Sequence, residues 1–265
     1  MPDRSFAAVA SFNTGMVLAG GWDANAAVMG TITIILTYSA GAVYNCIKDV
    51  DGDKINQNDS PLSDMRLGIG AARWIMLAYV CLSFIFAALT SPLMLVSNAI
   101  GVVLGIVYSK YTKSILIMSY ITLVTTHLVL PVVTGYLIFS GFHPFIMVIA
   151  VFFYISEVFS ISIKDFKDVE GDRKMGVRTL PVVFSPECAS KITFAGMCLP
   201  VVLIWFPWFI FKLSIVFLLI ALSASAMKIM LGYALMKDPK RDTAKKVLGY
   251  FRYIMIIQIF SWCFV

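Results

Sequence analysis

Along this chain, long runs of apolar residues alternate with short polar breaks. Nine runs approach or exceed the ~20 residues that cross a bilayer core. They lie at about 5–22, 25–47, 69–90, 92–109, 114–138, 143–164, 190–211, 213–236 and 247–264. Turn signals separate several of them: Gly-Trp-Asp at 21–23, Ser-Pro at 91–92 and Gly-Phe-His-Pro at 141–144. In lipid each run must close its own backbone hydrogen bonds, so each predicts a helix. Barrel strands would alternate in hydrophobicity, and these runs do not. The expectation is an all-α integral membrane protein, one membrane-embedded domain over residues 1–265 built as a bundle of about nine transmembrane helices.

Composition agrees. Of 265 residues, 60% are apolar and 14% charged, with a mean hydropathy of +0.87. A soluble domain carries about 25% charged residues, so ordinary soluble, disordered and fibrous classes are excluded. The five cysteines follow neither a CxxC nor a Cys/His spacing, and no disulfide or zinc framework is implied. The N-terminus lacks the ordered parts of a signal peptide, so the first apolar run is expected to stay in the protein.

Charge supplies sidedness. With the N-terminus on side one, that side collects Arg4 and the segments 48–66, 110–113, 164–191 and 237–252. Together with Asp3 these hold 18 of the 21 basic and 13 of the 15 acidic residues. Side two keeps Asp23 and Lys212. The positive-inside bias makes side one cytoplasmic. The basic excess is therefore topological, and no nucleic-acid partner is expected, because no basic run interleaves with aromatic stacking positions. Both long polar loops face one compartment and can meet.

Those loops carry a repeat. Residues 48–54 read Lys-Asp-Val-Asp-Gly-Asp-Lys and residues 167–173 read Lys-Asp-Val-Glu-Gly-Asp-Arg, with five identities at an offset of 119. The repeat predicts two related halves. Asn45, Asp49 and Asp53, at i, i+4, i+8, share one helical stripe; Asp165, Asp168 and Asp172, at i, i+3, i+7, share another. Asp51 and Glu170 fall off the stripes. Two acidic stripes at one mouth call for a cation, and hard oxygens favour Mg²⁺ or Ca²⁺ over softer metals. An EF-hand fits poorly, since Ser60 stands where its closing Glu would be. Lys113, Arg173 and Arg178, with Lys54, are the candidates for countercharge to a phosphate-bearing substrate.

These residues resemble the paired Asp-rich motifs of the UbiA superfamily of intramembrane prenyltransferases. Asn45-x-x-x-Asp49-x-x-x-Asp53 matches the first motif. Asp165, Asp168 and Asp172, followed by Gly176-Val-Arg-Thr-Leu-Pro-Val182, match the second, and Tyr108, Tyr111 and Lys113 match a Tyr/Lys cluster after the fourth helix. The likeness covers nearly the whole chain and is nearest in texture to the archaeal digeranylgeranylglyceryl phosphate synthase-like branch. The chain differs at Cys46, Ser60-Pro61 and Ser160-Ile161, where the family often has Asp, Arg-Pro and Arg-Glu; Asn13 stands near its usual first-helix Arg-x-x-Asn.

The resemblance implies Mg²⁺-dependent transfer of a polyprenyl group from an allylic prenyl diphosphate to a lipid-type or aromatic acceptor, within the cell membrane and from the cytoplasmic side. It implies catalytic roles for Asn45, Asp49, Asp53, Asp168 and Asp172, and metal ligation by Asp49, Asp53, Asp165, Asp168 and Asp172. It implies substrate contacts from Tyr108, Tyr111, Lys113, Arg173, Arg178 and Lys54. A terpene cyclase acting on the diphosphate without acceptor, and a non-enzymatic carrier of divalent cations or lipid, are the competing readings. Within the spans, Glu157 and His127 are candidates to face the cavity or to be packed, Arg73 and Lys228 lie near enough to span ends to snorkel, and Pro131 predicts a kink.

Overall fold

The computed structural model describes residues 5–58 and 60–265; Arg4 and Asp59, both in the polar segments counted above, lie outside the described residues. Among the described residues there are helices and no strands. In chain order they are α1 (Phe6–Leu18), α2 (Ala24–Lys48), α3 (Val50–Ile55), α4 (Ile69–Thr90), α5 (Pro92–Lys110), α6 (Leu116–Val124) and α7 (Leu130–Phe139). Then follow α8 (Pro144–Glu157), α9 (Val169–Lys174), α10 (Leu180–Val183), α11 (Pro186–Leu203), α12 (Trp205–Phe211), α13 (Ile215–Lys237) and α14 (Arg241–Ser261). Some adjacent pieces run on as single rods. Eight rods, of 19 to 26 residues, are long and apolar enough to cross a membrane. The first helix is shorter than the expected 5–22 run: it stops at Leu18, and Gly20 turns the chain with φ +70°.

Three rods are irregular, two of them at the cavity. Between α6 and α7 the helix widens to a π turn over Thr125–Val129, and the Leu130 N–H reaches back to Thr125 O. Pro131 has no N–H for the His127 carbonyl, so the kink expected there takes this wider form. After α8 the chain tightens into a 3₁₀ helix over Ser160–Lys167. The sixth of the eight rods breaks at Ile204, between α11 and α12.

The bilayer inverts the usual surface rule. Trp74, Ile85 and Leu89 on α4 and Phe206 and Phe209 on α12 are exposed, as lipid-facing side chains are in a bundle whose solvent is hydrocarbon. Inside, Trp262 is fully buried among Phe152, Phe153 and Phe217, with ring centroids 5.4, 6.5 and 4.7 Å away. Edge and tilted contacts of this kind suit the ring quadrupoles, and they lock α8, α13 and α14 together. On the other side, α1 and α7 touch through backbone. A Cβ at Gly15 would lie 2.1 Å from Val132 O, and one at Gly135 would lie 2.0 Å from Phe12 O. Small residues allow this approach where no hydrophobic effect drives helices together.

One expectation is overturned. Lys228 does not snorkel: its side chain is 0% exposed and ion-paired to Glu157, itself 3% exposed, with its Nζ 5.1 Å from the Phe251 ring centre. Glu157 does not line the main cavity. The two charges instead join α8 to α13 inside the bundle, where reaching each other is far less costly than dragging either through lipid. Removing one partner strands the other. Glu157→Gln or Lys228→Met alone is expected to cost about 3–5 kcal/mol, and the apolar double variant to recover most of it. Thermal unfolding of the purified single and double variants in detergent checks this; equal losses in all three would show that the pair is not the source of the stability.

Candidate active site

The two acidic repeats sit at helix joints. Asp49 closes α2 and opens α3, with φ −99° and ψ 6°, and Asp168 stands in the same way between the 3₁₀ helix and α9, with φ −117° and ψ 10°. Backbone bonds carry the register across each joint. Asp49 N donates to Asn45 O at 2.9 Å and Asp53 N to Asp49 O at 2.7 Å. In the second copy Asp168 N donates to Asp165 O at 3.0 Å and Asp172 N to Asp168 O at 2.9 Å. The unequal spacings of the two motifs thus have a backbone cause. The first arrives on an α-helix, with a four-residue step. The second arrives on a 3₁₀ helix, with a three-residue step.

Asp49, Asp53, Asp168 and Asp172 all line a cavity of about 990 Å³ that continues between the helices, and all four also line a smaller hollow of about 200 Å³ beside it. One amide joins the copies: Asn58 Nδ2 donates to Asp53 Oδ1 at 3.0 Å and to Asp168 Oδ1 at 2.8 Å. Carboxylates from the two motifs therefore face a common point. Asn56 makes a second link, accepting at Oδ1 from Gly171 N at 2.8 Å. Arg241, at the start of α14, donates to the carbonyl of Asn56 and to Asn58 Oδ1.

Asp49, Asp165 and the second oxygen of Asp168 have donors of their own. Asn45 Nδ2 and Lys113 Nζ donate to Asp49 Oδ2 at 2.8 and 2.5 Å. Lys167 meets Asp168 Oδ2 at 2.6 Å. Asp165 is buried, with Oδ1 on Lys164 at 2.5 Å and Oδ2 on the Tyr120 hydroxyl at 2.7 Å. The same hydroxyl accepts from Leu180 N at 3.0 Å, so the Thr179-Leu180-Pro181 tail of the second motif folds back onto the tyrosine that holds Asp165. Gly176 makes the required left-handed turn, φ +70°. Asp172 makes no ion pair or side-chain hydrogen bond among the described residues.

Crowding shows in the titration. Burial, followed by the Asp165 charge, pushes the Asp172 carboxyl up to about 7. Burial also raises Asp53, helped by Asp49 and Asp168 against the Asn58 bond. Burial disfavours the Lys113 cation, but Asp49 outweighs it and its pKa rises. Like charges gathered in a half-dry site behave this way until a cation joins them.

The site residues expected from sequence divide. Asn45, Asp49, Asp53, Tyr108, Lys113, Asp165, Asp168 and Asp172 line the cavity. Lys54, Tyr111, Arg173 and Arg178 are exposed, and none lines either hollow; Tyr111 lies 5.0 Å from Lys110 Nζ instead. They sit on the outer turns of the loops. In their place Lys164 and Lys167 reach inward, each beside the Asp that follows it. Asn58 and Tyr120 were not foreseen. Asn58 lies in a polar loop with no periodicity, and Tyr120 reads as one more apolar-helix aromatic. His127 lines the cavity, with Nδ1 2.9 Å from Leu123 O and its ring edge-on to Tyr38 at 4.7 Å.

The family model described as "UbiA prenyltransferase family" matches residues 8–257. The chain belongs to this family. Among similar proteins is the digeranylgeranylglyceryl phosphate synthase of Methanosphaera stadtmanae, 23% identical over 248 residues that cover 89% of this chain and 86% of that one. Two solved structures share the fold. A UbiA homolog from Aeropyrum pernix K1 superposes with a TM-score of 0.77 at 15% identity, covering 97% of this chain and 96% of that one. A UbiA homolog from Archaeoglobus fulgidus, bound to DMAPP and Mg²⁺, superposes with a TM-score of 0.75 at 19% identity, covering 99% and 96%. The helical bundle is thus a fold shared with solved UbiA homologs.

If Asn58 sets the spacing between the two motifs of this UbiA member, removing its amide should loosen that spacing. Asn58→Ala is expected to weaken Mg²⁺-dependent binding of a prenyl diphosphate about tenfold while leaving the unfolding temperature within a few degrees. Calorimetric titration beside a thermal melt tests it; unchanged affinity would remove Asn58 from the site.

Proposed function

We propose that this UbiA prenyltransferase works as one membrane-embedded unit over residues 1–265 and moves a prenyl group from an allylic diphosphate to a lipid-type acceptor, with Mg²⁺, from the cytoplasmic side. The observation that carries the reading is the facing of Asp53 and Asp168 across the Asn58 amide, at the mouth of a cavity with an apolar body. The donor set suits magnesium. It offers hard carboxylate oxygens from both halves, in a crowded cluster that holds Asp172 protonated up to about 7. Among the described residues no group of three or more such side chains is placed to hold an ion alone, so water and substrate phosphate would have to complete any Mg²⁺ shell. Asp49, Asp53, Asp168 and Asp172 would hold it, and the bound ion would draw off charge developing on the departing diphosphate.

The chain's own groups do the rest. Lys113, Lys164 and Lys167 keep positive charge at the mouth beside the leaving group. The bond from the prenyl C1 to the diphosphate oxygen breaks with its electron pair on oxygen. The acceptor's nucleophilic atom bonds to C1 and gives up a proton, which the departing diphosphate takes. Farther in, Ile34, Leu130, Met255 and Ile256 line the cavity and keep water from an allylic cation. The similarity to the lipid phosphate synthase of Methanosphaera stadtmanae supports a lipid-type acceptor, and the Archaeoglobus fulgidus structure with DMAPP and Mg²⁺ supports the metal and the diphosphate.

Asp49→Asn and Asp168→Asn are each expected to lower turnover of a prenyl diphosphate by about 10²–10³-fold without unfolding the protein, and chelation of Mg²⁺ to abolish it. A radiolabelled-product assay with a melt control measures both. Near-normal rates in the two variants would overturn the metal-site assignment. A terpene formed from the diphosphate alone would move the reading to cyclisation.

A further inference from the structure

The two acidic repeats end in the same turn, but not on the same residues. At the offset of 119, Gln57 corresponds to Gly176 and Asn58 to Val177. In the first copy Gln57 N donates to Lys54 O at 3.3 Å and Asn58 N to Asp53 O at 3.0 Å. In the second, Gly176 N donates to Arg173 O at 3.3 Å and Val177 N to Asp172 O at 2.8 Å. Each pair is a Schellman ending, which needs one residue in the left-handed region. Gly176 meets that need at φ +70°, whereas Gln57 meets it at φ +48° and bears the cost of its Cβ. What the first copy gains is Asn58 in the place of Val177. Carboxylates only accept and a guanidinium only donates, so the amide has one orientation. Nδ2 faces Asp53 and Asp168 at 3.0 and 2.8 Å, and Oδ1 faces Arg241 Nη2 at 3.2 Å. The same Nη2 donates to the carbonyl of Asn56 and reaches that of Gln57 at 3.5 Å, just past the end of α3. A bias of cations toward one membrane face would by itself put a basic residue near a helix end. It does not explain this one. Arg241 is the first residue of α14, where the helix dipole disfavours a cation, and its Nε is buried without a hydrogen-bond partner.

We infer that Arg241 is a positioning residue for the metal site, acting through Asn58. It fixes the Oδ1 end of the amide, so that both Nδ2 hydrogens stay on Asp53 and Asp168 and hold the carboxylates of the two motifs at one separation. The inference rests on the prenyltransferase reading and deepens it by tying the last helix to the diphosphate end of the site. One guanidinium nitrogen gathers two carbonyls and the amide oxygen, and the planar fork is pre-organised for such a fixed target. The gathered carbonyls flank the strained residue, so the same contact that orients Asn58 also holds Gln57 in its left-handed turn. Without Arg241 the amide can rotate about its last torsion and release one carboxylate. The two motifs would then meet a divalent ion with their spacing unset, and each binding event would have to restore it at the expense of affinity.

The test uses the full-length protein in nanodiscs. Calorimetry measures Mg²⁺-dependent binding of geranyl diphosphate, a thermal melt follows each variant, and transfer is assayed separately. Arg241→Gln is expected to weaken binding about tenfold and to raise the Mg²⁺ concentration for half-saturation by a similar factor. Arg241→Lys keeps the charge and loses the fork; it is expected to recover part of the loss, and it replaces Arg241→Gln should the latter not fold. The deciding variant is the double one. Because Arg241 acts through Asn58, adding Arg241→Gln to Asn58→Ala is expected to change the affinity by less than about twofold further. Losses that multiply in the double variant, or an unchanged Mg²⁺ requirement in Arg241→Gln, would overturn the inference. So would a loss of affinity that simply tracks the unfolding temperature across the variants, which is what a merely structural residue gives. Binding that depends on Arg241 in a protein that transfers no prenyl group would instead strike the prenyltransferase reading and leave the positioning role standing.

Discussion

Carboxylates at the edge of a bilayer must each find a positive or hydrogen-bonding partner, and this requirement organises the molecule. Removing a charge from water costs several kcal/mol even after relaxation. Five aspartates line one cavity here, and four of them are held by donors drawn from widely separated segments. Lys113 follows α5, Tyr120 is on α6, Asn58 comes from the loop after α3, and Lys164 and Lys167 come from the 3₁₀ helix. Satisfying the carboxylates therefore brings those segments to one place. The site is a consequence of the pairing as much as of the helical frame, and Arg241 extends it to the last helix through Asn56 and Asn58.

Backbone irregularity serves the same end. On a regular α-helix Asp165 and Asp168 would already lie about 60° apart on one face, and the three-residue repeat brings them directly into line. The 3₁₀ stretch over Ser160–Lys167 thus tightens an alignment that the spacing of three already gives. The π turn before Pro131 has a comparable effect on the opposite wall, where Thr126, His127, Leu130 and Pro131 all reach the cavity.

Much of this was legible in the residues. The apolar runs and the duplicated acidic motif follow from period and self-similarity, and each has a direct physical cause. The outer loop cations show where such reading stops. Lys54, Arg173 and Arg178 have the same charge and sequence proximity as Lys164 and Lys167, and only the turn geometry decides which point inward. A 3₁₀ helix cannot be read from hydropathy, so the inward lysines gave no signal. Lys228 failed for a related reason. Distance to a span end argued for snorkelling, while its partner, Glu157, stands 71 residues away in sequence and becomes a neighbour only through the packing of α8 against the later helices.

The two ionic systems also explain each other. Glu157 and Lys228 are sealed, 3% and 0% exposed, and neither lines the cavity; Asp49 with Lys113, and Asp168 with Lys167, keep 22–23% of their side-chain surface open. A sealed pair has lost its water and can exchange its partner only by unfolding the helices around it. A half-open pair retains enough hydration to trade a lysine for a metal ion or a phosphate oxygen at modest cost, because the incoming group replaces a contact instead of creating a stranded charge. Partial exposure is therefore the property that separates charges held for the fold from charges held ready for a ligand, and in this bundle the division falls along the cavity wall.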